Sequence, residues 1–367
     1  MNKNISIAYP VFNGNEKKYL NECIDTGWIS SKGDYIEKFE QKFAELVGSR
    51  YALSCSNGTV SLHLALLALG IKPGDEVIMP DLTYIATANA VVYCGATPIF
   101  VDIDRDTWNI DAEQIEAAIT PKTKAIIVVH LYGNPADMKA IMEIAAQHQL
   151  YVIEDAAEAH GAKFDGKMVG NIGDIGSFSF YGNKIITTGE GGMVTMNNDE
   201  LRDKVKLFKG QGVDPKRNYW HLVVGYNYRM TNIEAAIGLA QLENFDWHFK
   251  QRQRINKLYR KYLAENTDLF SMQKDQANSS HAYWMTSVVL NETVKIPRDE
   301  LILKMADIGI ETRPVFYAMH VMPPYQHEAK FPNSSYIAEQ GISLPSHAKL
   351  SSRDVQYVVD KLVELCR

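Results

Sequence analysis

Between residues 51 and 153, short unbroken apolar runs alternate with helix-length segments, and few folds accept that pattern. Residues 51–54, 76–79, 98–101, 125–129 and 151–153 each read as a strand, with helices over 60–69 and from near Tyr84 between them. Strands apolar on both faces are strands covered on both faces. The spacing therefore predicts an α/β fold with a mostly parallel central sheet between layers of helix. Residues 176–181 and 192–196 suggest two more strands that return after a turn. Ahead of them, Ile36, Phe39, Phe43, Leu46 and Val47 recur at helical spacing, so the N-terminal part reads as a helical lead-in.

Beyond Asn232 the texture turns to a long helix, with Thr231 and Glu234 as a capping box and helical character continuing through 246–265. Strands over 284–290 and 310–316 then alternate with amphipathic helices over 298–308 and 352–365. A chain of 367 residues exceeds one minimal core. The reading is a large domain, residues 1–244, and a smaller C-terminal α/β domain, residues 245–367. Net charge is −6 with basic residues dispersed, which argues against nucleic acid or an anionic membrane as principal partner. No apolar run approaches the roughly 20 residues a bilayer span needs. Residues 1–5 lack the apolar core of a signal peptide. Cys23, Cys55, Cys94 and Cys366 are far apart without metal-type spacing. The expectation is a cytoplasmic protein with reduced thiols and no metal site.

Four stretches carry chemistry. In sheets of this kind ligands collect at the carboxyl ends of the strands, where Glu154-Asp155 follows the run 150–153. Lys184 ends the aromatic-serine stretch 176–183 and precedes the glycine-rich loop 187–192. A lysine and a carboxylate offered from two strand ends match the demands of pyridoxal phosphate. The amine condenses with the cofactor aldehyde, and the acid keeps the pyridine nitrogen protonated. Ser56-Asn57-Gly58-Thr59, between a strand and a helix start, suits a phosphate. Ser179 can add a hydroxyl to it, Tyr84 can stack on the ring, and Glu158 can reach the phenolic oxygen. Taken singly, each has a plainer alternative: the Ser56–Thr59 turn and Asp155 as helix caps, Tyr84 as packing, Lys184 as a surface loop lysine. Asn227 and Arg229, among aromatics just before a capped helix, read as an anion contact or a loop at a subunit boundary.

Together these motifs resemble the DegT family of PLP-dependent nucleotide-sugar aminotransferases on the fold-type I aminotransferase scaffold. The likeness runs from Trp28-Ile29-Ser30-Ser31 to Gly341-Ile342-Ser343-Leu344-Pro345. It includes residues 13–20, Phe208-Lys209-Gly210-Gln211-Gly212, Tyr219-Trp220-His221, 225–231 and 311–317. The resemblance implies Lys184 as the Schiff-base lysine and Asp155 as the partner of the pyridine nitrogen. It implies Ser179 and the Gly58-Thr59 turn on the phosphate, with Asn227 reaching in from a second subunit of a homodimer with shared sites. Arg229, Arg313 and His320 become candidates for the sugar nucleotide. Glu158 stands where many members carry glutamine, and in having Glu there the chain resembles the branch that aminates the 4-keto carbon of GDP-4-keto-6-deoxymannose from L-glutamate. A UDP- or dTDP-linked keto sugar is the alternative substrate, and a non-catalytic regulator the alternative class. Family dehydratases place histidine where this chain has Lys184.

Overall fold

The computed structural model describes residues 4–367. The first strands are β1 (Tyr51–Cys55), β2 (Glu76–Pro80), β3 (Thr97–Val101), β4 (Thr123–Val129) and β5 (Tyr151–Asp155). A short hairpin of β6 (Lys163–Phe164) and β7 (Lys167–Met168) precedes β8 (Ile175–Ser179) and β9 (Gly192–Met196). The central sheet has seven strands in the order β1-β9-β8-β5-β4-β2-β3. Pairs from β3 across to β8 are parallel, and β9 runs antiparallel to β8 and β1. The predicted turn between residues 181 and 192 thus joins two neighbouring strands.

Continuous apolar runs become strands buried on both faces because alternate side chains serve opposite layers. Ile127 and Ile153 pack with Leu62, Leu64 and Leu66 of the helix Gly58–Leu69. Ile126, Val128 and Val152 pack under Met138 and Ile141 of the helix Met138–His148. The lead-in resolves into helices Glu16–Thr26 and Asp34–Val47, whose Phe39 and Phe43 join Phe178 and Phe180 in one cluster.

Where one long helix was expected there are two, Asn232–Glu243 and Phe245–Leu263, broken at Asn244, whose φ of −106° and ψ of 18° leave the helical region. Thr231 and Glu234 form the expected capping box. The C-terminal part carries β10 (Phe270–Met272), β11 (Ser279–Ser280), β12 (Thr286–Leu290), β13 (Arg313–Pro314) and β14 (Gly341–Leu344). Four of these form an antiparallel sheet, β10-β12-β14-β13, while β11 pairs with β6. The run 310–316 yields only the two residues of β13, for Pro314 has no N–H to extend a ladder. The N-terminal segment bridges to the residues just before β13: Ile5 donates to Gly309 O at 2.8 Å and accepts from Glu311 N–H at 2.9 Å. Among the described residues no helix is long and apolar enough to cross a membrane.

Candidate active site

A cavity of about 740 Å³ opens at the carboxyl ends of β4, β5 and β8, between the central sheet and the C-terminal part. Asn57, Gly58, Thr59, Tyr84, Asp155, Glu158, Ser179, Lys184 and Arg313 all line it. Eight of the nine converge because the strands of the central sheet deliver their loops to one edge, and Arg313 is added from β13 of the C-terminal sheet.

Asn57 caps the helix Gly58–Leu69, its side-chain oxygen accepting from Val60 N–H at 3.0 Å. The N–H groups of Gly58 and Thr59 start the helix and have no intrahelical acceptor. Gly58 has to be glycine: a Cβ there would lie 2.7 Å from Cβ of Ser179. The turn and Ser179 therefore form one tight concave edge at the positive end of a helix dipole, a fit for a phosphate.

Asp155 is buried at the end of β5. Its carboxylate accepts from Thr87 Oγ1 at 2.8 Å and from Ala157 N–H at 3.2 Å. Burial raises its pKa above the usual carboxylate range, partly offset by the Thr87 and Ala157 hydrogen bonds. A cationic ring nitrogen opposite it would hold it ionised, which is what a protonated pyridine supplies.

Lys184 closes a turn in which its N–H donates to Tyr181 O at 2.9 Å. The loop behind is tied down at Phe180, whose carbonyl accepts from Thr188 N–H at 2.9 Å and Thr187 Oγ1 at 2.8 Å. The amine lies 3.8 Å from Glu158 Oε1 and 3.9 Å from the ring centroid of Trp284. Burial lowers the Lys184 pKa, while the charges of Glu158 and Asp155 act the other way. Burial likewise raises Glu158, to about 7, against the pull of Lys184. The other Glu158 oxygen accepts from Tyr132 N–H at 2.7 Å. Tyr132 holds a left-handed backbone, φ 56° and ψ 12°, that is costly for an aromatic residue. These groups fit pyridoxal phosphate: an amine for its aldehyde, an acid for its nitrogen, a helix start for its phosphate.

Four sequence candidates lie outside the cavity wall. Ser56 donates its N–H to Tyr228 O at 2.9 Å. Asn227 and Arg229 are exposed and bonded to each other, Nη2 to Oδ1 at 3.1 Å. They stand at the base of a hairpin whose arms meet at Val213 and His221. His320 is committed to buried Asp81, with Nδ1 at 2.7 Å and its backbone N–H at 2.9 Å from the two carboxylate oxygens. Tyr84 lines the cavity with its ring 5.6 Å from that of Phe316. Arg313 is half engaged by Glu311, Nη2 to Oε1 at 2.9 Å. Sequence reading missed Thr87, Tyr132 and Trp284. Thr87 sits one turn past Thr83 on the helix that Tyr84 announces, the one signal available for it.

Against known proteins, residues 11–363 match the family model of the DegT/DnrJ/EryC1/StrS aminotransferases. The chain is 52% identical to GDP-perosamine synthase of Caulobacter vibrioides over 362 residues, covering 98% of this chain and 97% of that one. It is 53% identical to GDP-perosamine synthase of Escherichia coli O157:H7 over 363 residues, 99% and 98% of the two chains. Among solved structures, Helicobacter pylori PseC, an aminotransferase involved in pseudoaminic acid biosynthesis, superposes with a TM-score of 0.94. It shares 25% identity and covers 99% of each chain.

Proposed function

The chain belongs to the DegT/DnrJ/EryC1/StrS aminotransferase family, and from that premise we propose that it moves the amino group of L-glutamate to the 4-keto carbon of GDP-4-keto-6-deoxymannose, giving GDP-perosamine. The observation that carries this reading is the likeness of 52% and 53% over nearly the whole chain to two GDP-perosamine synthases. The net exchange balances: glutamate leaves as 2-oxoglutarate, and the keto oxygen of the sugar is replaced by the amine.

Pyridoxal phosphate, when bound, supplies an aldehyde for amine exchange and a ring that accepts the electron pair of a broken carbon–hydrogen bond. Lys184 is the residue to hold its aldehyde carbon, Asp155 its nitrogen, and Gly58, Thr59 and Ser179 its phosphate. The Lys184 amine, with its pKa lowered by burial, can take a proton from the donor carbon and return one to the sugar carbon. Glu158 faces that amine at 3.8 Å and steadies its charged form. Trp284 and Phe316 wall the cavity on the C-terminal side and keep water from the reacting carbon. Arg313, at the mouth, is placed for an anionic group of the donor or of the sugar nucleotide.

The working unit in this reading is a homodimer. What supports it is the hairpin before Asn227, whose Tyr219, Trp220, Leu222 and Val224 are all exposed, with Tyr219 at 95%. A contiguous apolar projection of that kind marks an interaction surface. Asn227 and Arg229 at its base would then complete the cavity of the neighbour.

Incubation of the cofactor-loaded enzyme with L-glutamate and GDP-, UDP- or dTDP-linked 4-keto sugars tests the substrate. Turnover of the GDP sugar with release of 2-oxoglutarate is expected. Efficient turnover of a UDP or dTDP sugar and none of the GDP sugar overturns the assignment.

A further inference from the structure

Arg252 lies on the helix Phe245–Leu263, in the C-terminal part, yet its guanidinium reaches the backbone of the lysine loop. The residue is 6% exposed. Its hydrogen bonds run to carbonyl oxygens rather than to a carboxylate. Nη1 donates to Ser346 O, and Nη2 is shared between Asn183 O at 3.5 Å and Lys184 O at 3.4 Å. A second donor from the same side converges on the same carbonyl, Trp284 Nε1 to Asn183 O at 2.8 Å. The Trp284 ring then carries the Lys184 amine over its face at 3.9 Å.

A buried guanidinium is costly unless its donors are used. Here Nη1 is used on Ser346 O, and Nη2 on the two peptide groups that launch the lysine side chain. Ser346 is itself fixed, its N–H donating to Ile7 O at 3.0 Å and its Oγ accepting from Thr286 N–H at 2.9 Å. The chain of contacts thus runs from β12 through Ser346 and Arg252 to Lys184. The planar fork of Arg spans carbonyls on two elements, which a Lys ammonium at the same position spans poorly.

We propose that Arg252 is a positioning residue for Lys184: with Trp284 it clamps the Asn183 and Lys184 carbonyls and so fixes the backbone from which the amine swings. The inference rests on Lys184 being the working amine. It assigns to the C-terminal part a task at the cofactor edge besides walling the cavity.

Two variants test it, Arg252→Met, which removes the fork, and Arg252→Lys, which keeps a buried cation. In the cofactor-free protein, hydrogen exchange at the amides of Lys184 and Thr188, bonded to Tyr181 O and Phe180 O, is expected to quicken in both, more in Arg252→Met. In the loaded enzyme, kcat is expected to fall about 10- to 100-fold in Arg252→Met, the cost of misplacing a reacting group by an ångström or less. KM for the keto sugar is expected to stay within about twofold, because a pure loss of kcat marks an interaction that matters after binding. Arg252→Lys is expected to recover part of the kcat, and if Arg252→Met fails to fold, the exchange and kcat of Arg252→Lys decide. Unchanged exchange at Lys184 and Thr188, or unchanged kcat in a variant that only melts earlier, overturns the proposal. Lys184→Ala is the separate control: turnover surviving there refutes the reading of the amine, whatever Arg252 does.

Discussion

Lys184 Nζ and Glu158 Oε1 face each other at 3.8 Å on the floor of the cavity, while Tyr132 N–H pins the other Glu158 oxygen at 2.7 Å. Burial pushes the two pKa values toward each other, lysine down and glutamate up. Against burial, each charge is sustained mainly by its neighbour.

Removing the carboxylate should therefore depress the amine further. In Glu158→Gln the larger of the two charges that raise the Lys184 pKa is gone, while Asp155 and burial remain. The pH dependence of Lys184 acylation in the cofactor-free protein is expected to move to lower pH than in the wild type. A move to higher pH contradicts the pairing.

Thr87 holds Asp155 by a 2.8 Å hydrogen bond in a buried setting. Thr87→Val keeps the shape and deletes the donor. A hydrogen bond to a charged group contributes about 1.5–3 kcal/mol, so cofactor affinity should weaken by roughly 10- to 100-fold. Spectral titration of the cofactor-free variant with pyridoxal phosphate measures it, and an unchanged Kd would show that Asp155 does not depend on this contact.

His160 is buried among the rings of Phe43, Phe178 and Phe180, and burial pushes its pKa down from 6.5 to about 3. Its folded pKa is depressed, so between those two values the unfolded chain binds the extra proton. The stability contributed by keeping the ring neutral is complete above pH 6.5 and is lost as the pH falls toward 3. His160→Phe should make the fall in unfolding free energy shallower by about 0.7 kcal/mol per pH unit at pH 6.5, growing to about 1.4 near pH 5. Urea unfolding at a series of pH values gives the slope, and parallel slopes for the two proteins would remove His160 from the account.

If the exposed hairpin joins two copies, sites are shared. Asn227→Ala and Lys184→Ala should each be inactive alone. Mixed and refolded together, about a quarter of the wild-type activity should return, since half the chains pair unlike and each such pair has one intact site. Activity that stays absent in a mixture shown to contain mixed dimers contradicts a shared site.

The sheet and its ligand edge were legible because their cause is local: apolar runs such as 125–129 and 151–153 have no other use than a doubly covered strand. The convergence of Lys184, Asp155 and the Gly58-Thr59 turn on one cavity was legible for the same reason, since they lie in the turn past β8, at the end of β5 and at a helix start. Tyr132 and Arg252 were not. A left-handed aromatic residue leaves no local signature, and Arg252 looks like any other base on the helical stretch after Asn244. Its partners at Asn183 and Lys184 are 69 and 68 residues away. His320, a candidate for the sugar nucleotide, lies outside the cavity wall and is bonded through Nδ1 to buried Asp81 at 2.7 Å, a pairing across 239 residues that no local pattern announces. The break at Asn244 was hidden because both helices beside it are helical by pattern.

The most direct test of the account is the visible spectrum of the enzyme reconstituted with pyridoxal phosphate, for wild type and Lys184→Ala, before and after L-glutamate. The wild type should be yellow through its lysine and should bleach on glutamate, then regain colour on addition of GDP-4-keto-6-deoxymannose. Lys184→Ala should show neither the lysine-linked absorbance nor catalytic cycling. A Lys184→Ala protein that bleaches and recovers at the wild-type rate would contradict the central claim.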